Sequence, residues 1–384
     1  IMEATAQKGT DAKLILGADG QPALVSITSK LLQIIIGKAG NFIPGGGIWL
    51  NTQRPEWNDA NNALAGYGLS MVTTSYLYRM LTFLKEIYSS SDDAAFAIPK
   101  TEKAFFDELL SIYSSAKPED TMSEKSRADF TRSCGIAFEK ERKAFYHDYS
   151  LLTKTTSLKK EELLGAIDVF LSHLEYSIKQ NKKENGLYHS YNTLAINKDG
   201  MKVNYLQEML EGQVAVLSSK MLSAKEACEL YDALKNSGMY EKRQHSYMLY
   251  PTKELPDFLK KNIVSKSEAS SIALLKEQLD RNYTAPDASC IVYNDAIDSS
   301  VCHFNPDFRN AECLSNTLAA IADGGASNMA ARLSAEDKEK ILSLYEATFH
   351  HSSFTGRSGT FYAYEGLGSI YWHMVSKLLL AMQE

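Results

Sequence analysis

From Ala60 to Tyr78 the chain runs for 19 positions without a charged side chain, long enough to cross a bilayer if it were apolar throughout. It is not: Asn61, Asn62, Gly66, Gly68, Ser70, Thr73, Thr74 and Ser75 fall inside it. A segment too polar for lipid and too uncharged for a wet surface belongs to the buried inner layer of a helical protein, where both faces meet other helices. The expected element is an inner helix running to about Tyr88.

The remainder of the chain agrees with helix. Nine prolines in 384 residues, and a composition rich in Ala, Leu, Lys, Glu, Ser and Tyr, suit long helices better than a many-stranded sandwich. With 44% hydrophobic and 23% charged positions the chain is a folded globular protein of one large domain or two smaller ones. Further helices are expected at 102–114, 123–148, 159–179, 205–218, 224–236, 267–281, 311–322, 335–349 and 366–383. In the 159–179 stretch Leu163, Ile167, Phe170, Leu174 and Ile178 recur at steps of three and four, so one face meets a core and the other meets water. Only SCIVYND (289–295) and SYMLY (246–250) read as strands, too few for a sheet-based fold. The expectation is therefore an all-α protein.

Charge and cysteine usage exclude some functions. Forty-one Lys plus Arg against 47 Asp plus Glu give a net charge of -6, with no block of five like charges, so no nucleic-acid partner is expected. No secretory signal or membrane span is visible. The five cysteines, at 134, 228, 290, 302 and 313, are widely spaced without a CxxC pair. Free thiols in a reducing, cytoplasmic setting and no metal site are the reading.

Chemistry-bearing residues concentrate in two places. PGGGIWLNTQRPEWNDANN (44–62) sets Arg54, Glu56, Trp57, Asn58, Asp59 and Asn62 within a few positions, after a triple glycine of unusual backbone freedom and a proline that holds Arg54 extended. A flat apolar platform ringed by planar donors and acceptors is what a sugar needs. Asp59 or Asn58 would equally serve as a helix N-cap, which leaves the other residues unexplained. The second place is FTGRSGTFYAYEGLGSIYWHM (354–374), where Glu365 stands alone among Phe361, Tyr362, Tyr364, Tyr371 and Trp372. An acid among aromatics at a helix start is a candidate general base or acid. His189, Tyr191 and Asn192 in GLYHSYNTL, and His303, are weaker candidates for lining a cleft.

At Trp57-Asn58-Asp59, followed by a small residue, an Asn and the long uncharged segment, the chain resembles the Asp-Trp-Asn-Asp-Gly motif of the inverting disaccharide phosphorylases typified by cellobiose phosphorylase, within the clan built on an (α/α)6 toroid. The resemblance implies Asp59 as general acid and Trp57 as a sugar contact. Glu56 stands where that family usually has Asp, and Ala60 where it usually has Gly. YEGLGS (364–369) looks like the counterpart of the family's phosphate-holding Thr-Gly-Ser turn, with Glu365 at the Thr position, where a carboxylate repels phosphate and activates water instead.

The expectation that follows is an inverting glycoside hydrolase acting on an oligo- or polysaccharide. Asp59 protonates the leaving oxygen and Glu365 activates water, the two carboxyls standing roughly 6.5–9.5 Å apart. Trp57 and Tyr364 flank the sugar, while Arg54, Glu56, Asn58 and Asn62 bond its hydroxyls. The chemistry needs no cofactor. The alternatives are an inverting phosphorylase with a phosphate cradle of Arg357, His350 and His351, or a non-catalytic carbohydrate-binding module. The resemblance also sets the domains: 1–40 as the lead-in of a truncated front, 41–384 as the toroid-type catalytic domain, and the remaining N-terminal part of a larger polypeptide as a partner.

Overall fold

The computed structural model describes residues 21–51, 64–147, 152, 154–251, 257, 260–287, 290–322, 333–351, 354–355, 361–362 and 369–384. The chain divides into two compact units, one made of residues 1–252 and 366–384, the other of residues 253–365.

Unit 1 opens with α1 (Ile27–Ala39), capped by the Ser26 hydroxyl, which accepts from Ser29 N at 3.0 Å. Three short strands follow, β1 (Phe42–Ile43), β2 (Gly47–Trp49) and β3 (Gly68–Ser70), and β3 runs directly into α2 (Met71–Ser90) with Ser70 as its N-cap. Strand β4 (Ala95–Pro99) leads to α3 (Lys100–Ser114), and α4 (Glu124–His147) comes next. Strand β5 (Thr155–Lys159) pairs antiparallel with β4 and leads to α5 (Lys160–Gln180). On α5 the five residues singled out by periodicity, Leu163, Ile167, Phe170, Leu174 and Ile178, are all buried. Strands β6 (Tyr191–Asn197) and β7 (Gly200–Tyr205) form a hairpin before α6 (Leu210–Ser218) and α7 (Ala224–Lys235). The last helix of the unit, α11 (Trp372–Gln383), returns after unit 2.

One core gathers Leu81, Phe106, Leu109, Tyr113 and Phe170 among α1 to α5. A second gathers Met71, Val214, Leu217, Leu230 and Leu378 where α6, α7 and α11 meet the start of α2.

The expectation of an all-α chain of (α/α)6 toroid type is overturned. Unit 1 contains a five-stranded antiparallel sheet in the order β1-β2-β3-β6-β7, and the architecture is mixed α/β. Its strands come from segments expected as loops, and β3 from inside the expected inner helix, so α2 starts at Met71, not near Ala60. These strands escape a periodicity test for a physical reason. They are two to seven residues long, and β1 and β3 are buried on every residue, so they show no polar alternation. Three other expected helices are shorter than their sequence pattern: residues 205–209 precede α6, the 267–281 stretch breaks at 270–272 into Lys266–Ala269 and Ala273–Asp280, and α11 begins at Trp372.

Unit 2 has its own core. Strands β8 (Val264–Ser265), β9 (Val292–Asn294) and β10 (Val301–Phe304) form an antiparallel sheet in the order β8-β10-β9. Helices α8 (Ala273–Asp280), α9 (Ala311–Ala322) and α10 (Ala335–Phe349) cover it, and Leu275, Leu279, Val292, Phe304, Leu314, Leu318, Ile341 and Tyr345 fill the interior. Among the described residues no helix is long and apolar enough to cross a membrane.

Candidate active site

The expected site residues Arg54, Glu56, Trp57, Asn58, Asp59 and Asn62 fall in 52–63, and Tyr364 and Glu365 in 363–368, outside the described residues. What the structure does define is the frame that carries them. The chain leaves the sheet after Trp49 and re-enters it at Gly68. The two flanks are adjacent: Trp49 pairs with Leu69, Leu50 N donates to Gly68 O at 2.8 Å, Gly66 N donates to Leu50 O at 2.6 Å, and the Trp49 indole donates to Gly66 O at 3.0 Å. Both ends of the Asp59 segment are thus anchored in one hairpin, β2–β3.

The triple glycine uses the backbone freedom expected of it. It forms the buried turn between β1 and β2, with Gly45 at φ 72 and Gly47 at φ 113. A methyl group on Gly46 would lie 2.4 Å from Leu69 Cδ1, and one on Gly47 would lie 2.8 Å from the Ser70 backbone. A buried amide network holds this turn. Asn181 Nδ2 donates to Gly45 O at 2.9 Å, Asn192 Nδ2 donates to Gly46 O at 2.9 Å and to Asn181 Oδ1 at 2.8 Å, and Gly45 N donates to the Ser177 hydroxyl at 3.0 Å. The Arg127 guanidinium donates to three carbonyls, those of Pro44, Met201 and Met122. Burial holds its pKa below the usual arginine range.

Ser190 joins two helix starts to this sheet. Its carbonyl accepts from Met71 N at 2.9 Å, and its hydroxyl accepts from Gly212 N at 2.9 Å. Gln213 clasps the Tyr188 backbone from both sides. The approach requires glycine at 212, where a Cβ would meet Ser190 Oγ at 2.2 Å. Next along β6, Tyr191 is in register with Ser70, and its hydroxyl donates to Glu211 Oε2 at 2.9 Å. Tyr76 on α2 lies close enough that Glu211, after burial, raises its hydroxyl pKa. A half-buried carboxyl oriented by a tyrosine therefore stands in the same unit as the Asp59 segment, beside the strand that segment feeds.

Glu211 was not among the residues singled out by sequence. Its signal is an acid opening the stretch LEGQVAVLSS (210–219), which is otherwise as uncharged as 60–78. Of the weaker candidates, Asn192 belongs to the amide network. His189 bonds Leu206 O at 2.8 Å and stacks on Tyr205, and burial lowers its pKa. In unit 2, His303 bonds Asp295 at 2.8 Å, His350 ends α10 in the left-handed region, and the His351 ring packs on Tyr345 and Phe349. Arg357 lies outside the described residues.

The chain leaves and re-enters unit 1 at a defined point. Leu249 N donates to Ser369 O at 2.9 Å, so the strand of chain that departs toward residue 253 and the one that returns from 365 meet as neighbours. Unit 2 is an insertion in the literal sense.

Comparison with known families agrees with that topology. Residues 255–352 match the model of the GH149 phosphorylase insertion domain 2, and these residues lie inside unit 2. The match relates the chain to glycoside phosphorylases, and hence to carbohydrate-active enzymes. No curated protein matches.

Proposed function

We propose that this chain carries part of the active site of a glycoside phosphorylase, with Asp59 as the general acid. The observation that supports the reading is the coincidence of two independent boundaries: a compact unit inserted at 253–365, and a match over 255–352 to an insertion domain of phosphorylases. In this reaction phosphate oxygen attacks the anomeric carbon as the bond to the glycosidic oxygen breaks. Asp59 gives its proton to the departing oxygen, and the products are a sugar 1-phosphate and a shortened saccharide. Trp57 flanks the ring, while Arg54, Glu56, Asn58 and Asn62 bond hydroxyls. Glu211, held by Tyr191, accepts from a further hydroxyl, a charge-assisted bond that sets the sugar's orientation.

A second reading keeps Asp59 and replaces phosphate by water. It is favoured by one residue, Glu365, whose carboxylate in YEGLGS would repel phosphate and serve as general base. The test is a product assay on the protein as encoded in full, with an oligosaccharide panel, with and without inorganic phosphate. Phosphate-dependent sugar 1-phosphate supports the first reading. Phosphate-independent release of reducing sugar supports the second, and sugar binding without turnover overturns both.

A further inference from the structure

Away from that region, unit 1 buries an acid that has no cation partner among the described residues. Glu102, in the first turn of α3, is 0% exposed. Its Oε2 accepts from the Ser29 hydroxyl of α1 at 2.5 Å, and Gln33 of α1 bonds the same carboxyl. Its Oε1 is buried with no hydrogen-bond partner among the described residues. The surrounding charges do not help. The ionisable neighbour on α4 is Glu141, itself bonded to Thr101, and the adjacent Lys103 is taken up by Asp107 and Glu162. From α1 only the neutral Ser29 and Gln33 reach it, and β4 is AFAIP, without a titratable side chain.

These contacts tie the front of α1 to α3 and β4. Ser29 N is held by the Ser26 hydroxyl, which in turn donates to Ala97 O of β4 at 2.8 Å. A neutral carboxyl tolerates an unpaired buried oxygen far better than a carboxylate does.

We infer that a proton on Glu102 keeps α1 seated on α3 and β4, and that its loss loosens Ile27–Ala39 while the rest of unit 1 stays folded. Burial, with a smaller contribution from Glu141, raises the carboxyl from its ordinary value to about 7, against the opposing hydrogen bonds of Ser29 and Gln33. The folded value lies above the unfolded one. The stabilising contribution is therefore complete below about pH 4.5, declines as pH rises, and is gone once pH has passed about 7.

The experiment is amide hydrogen exchange on the protein as encoded in full, at pH 5.5 and 8, corrected for intrinsic exchange, with α5 as the internal reference. Protection of Ile27–Ala39 relative to α5 should fall at least about tenfold between the two conditions. In Glu102→Gln, which cannot ionise, that difference should vanish. Ser29→Ala, which removes a bond favouring the charged form, should move the transition to higher pH, and it keeps the idea testable if Glu102→Gln folds poorly. Equal protection at both pH values in the native protein, or an unchanged pH dependence in Glu102→Gln or an unmoved transition in Ser29→Ala, would overturn the inference.

Discussion

The Tyr191 hydroxyl donates to Glu211 Oε2 across 2.9 Å, linking the strand paired with β3 to the first turn of α6. The bond fixes a carboxyl that otherwise has several rotamers, and it does so next to the strand that continues from the Asp59 segment. Glu211→Gln should keep the shape and lose the charge. We expect kcat/KM to fall by about 10- to 100-fold, the size of a lost charge-assisted hydrogen bond, with the thermal midpoint nearly unchanged. Tyr191→Phe should cost less than Glu211→Gln, because the carboxyl remains. Full activity in both variants would reduce the pair to a packing contact.

Asp59→Asn removes the proton donor. Turnover of natural saccharides should drop by about 10² to 10⁴, the usual worth of general acid catalysis. A substrate whose leaving group needs no proton, such as a dinitrophenyl glycoside, should retain most of its rate in the same variant. Equal losses on both substrates would show that Asp59 has another role.

Gly47→Ala tests the frame and not the chemistry. The new methyl would meet the Ser70 backbone at 2.8 Å, on a residue already at φ 113. Unit 1 should lose about 2 kcal/mol or more in denaturant unfolding, with activity falling in parallel. Gly37→Ala, where nothing lies within 4 Å, is the matched control and should be neutral or mildly stabilising. A neutral Gly47→Ala would mean the hairpin shifts freely.

Unit 2 carries an acid-sensitive turn. The amides of Asp298 and Ile297 and the His303 ring hold the Asp295 carboxyl down from 3.8 to about 2. Its folded value is depressed, so its contribution is present above about pH 4 and is lost as pH falls toward 2. Exchange of the Ile297 and Asp298 amides should accelerate across that window beyond the intrinsic pH effect, and Asp295→Ala should show the accelerated rate at all pH values. A turn equally protected at pH 2 and pH 5 would contradict this.

The helices were legible because their signals are local. Leu163 to Ile178 show a core face by spacing alone, and α9 and α10 start at the residues expected, Ala311 and Ala335. The sheet was not legible, since Gly68-Leu69-Ser70 and Phe42-Ile43 are too short and too completely buried to carry a period. The triple glycine was read for freedom, which Gly45 and Gly47 use; the crowding by Leu69 and the Ser70 backbone, from more than 20 positions away, was not legible. The insertion was equally hidden, because isolated residues such as Pro251 and Gly366 at its two junctions do not amount to a linker composition. Glu211 was missed because a single acid ahead of an uncharged helix becomes meaningful only once Tyr191 is seen against it.

The placement of unit 2 between residues 252 and 366 sets an order of events during synthesis. Everything of unit 1 up to residue 252 leaves the ribosome before α11 exists, and α11 is the helix that covers Val214 and Leu217 of α6. At ordinary elongation rates the intervening residues take on the order of ten seconds to appear. During that interval the apolar side of α6 that awaits Leu378 has no partner from its own unit. Unit 2, whose described core draws on 253–365 alone, can close before unit 1 is complete.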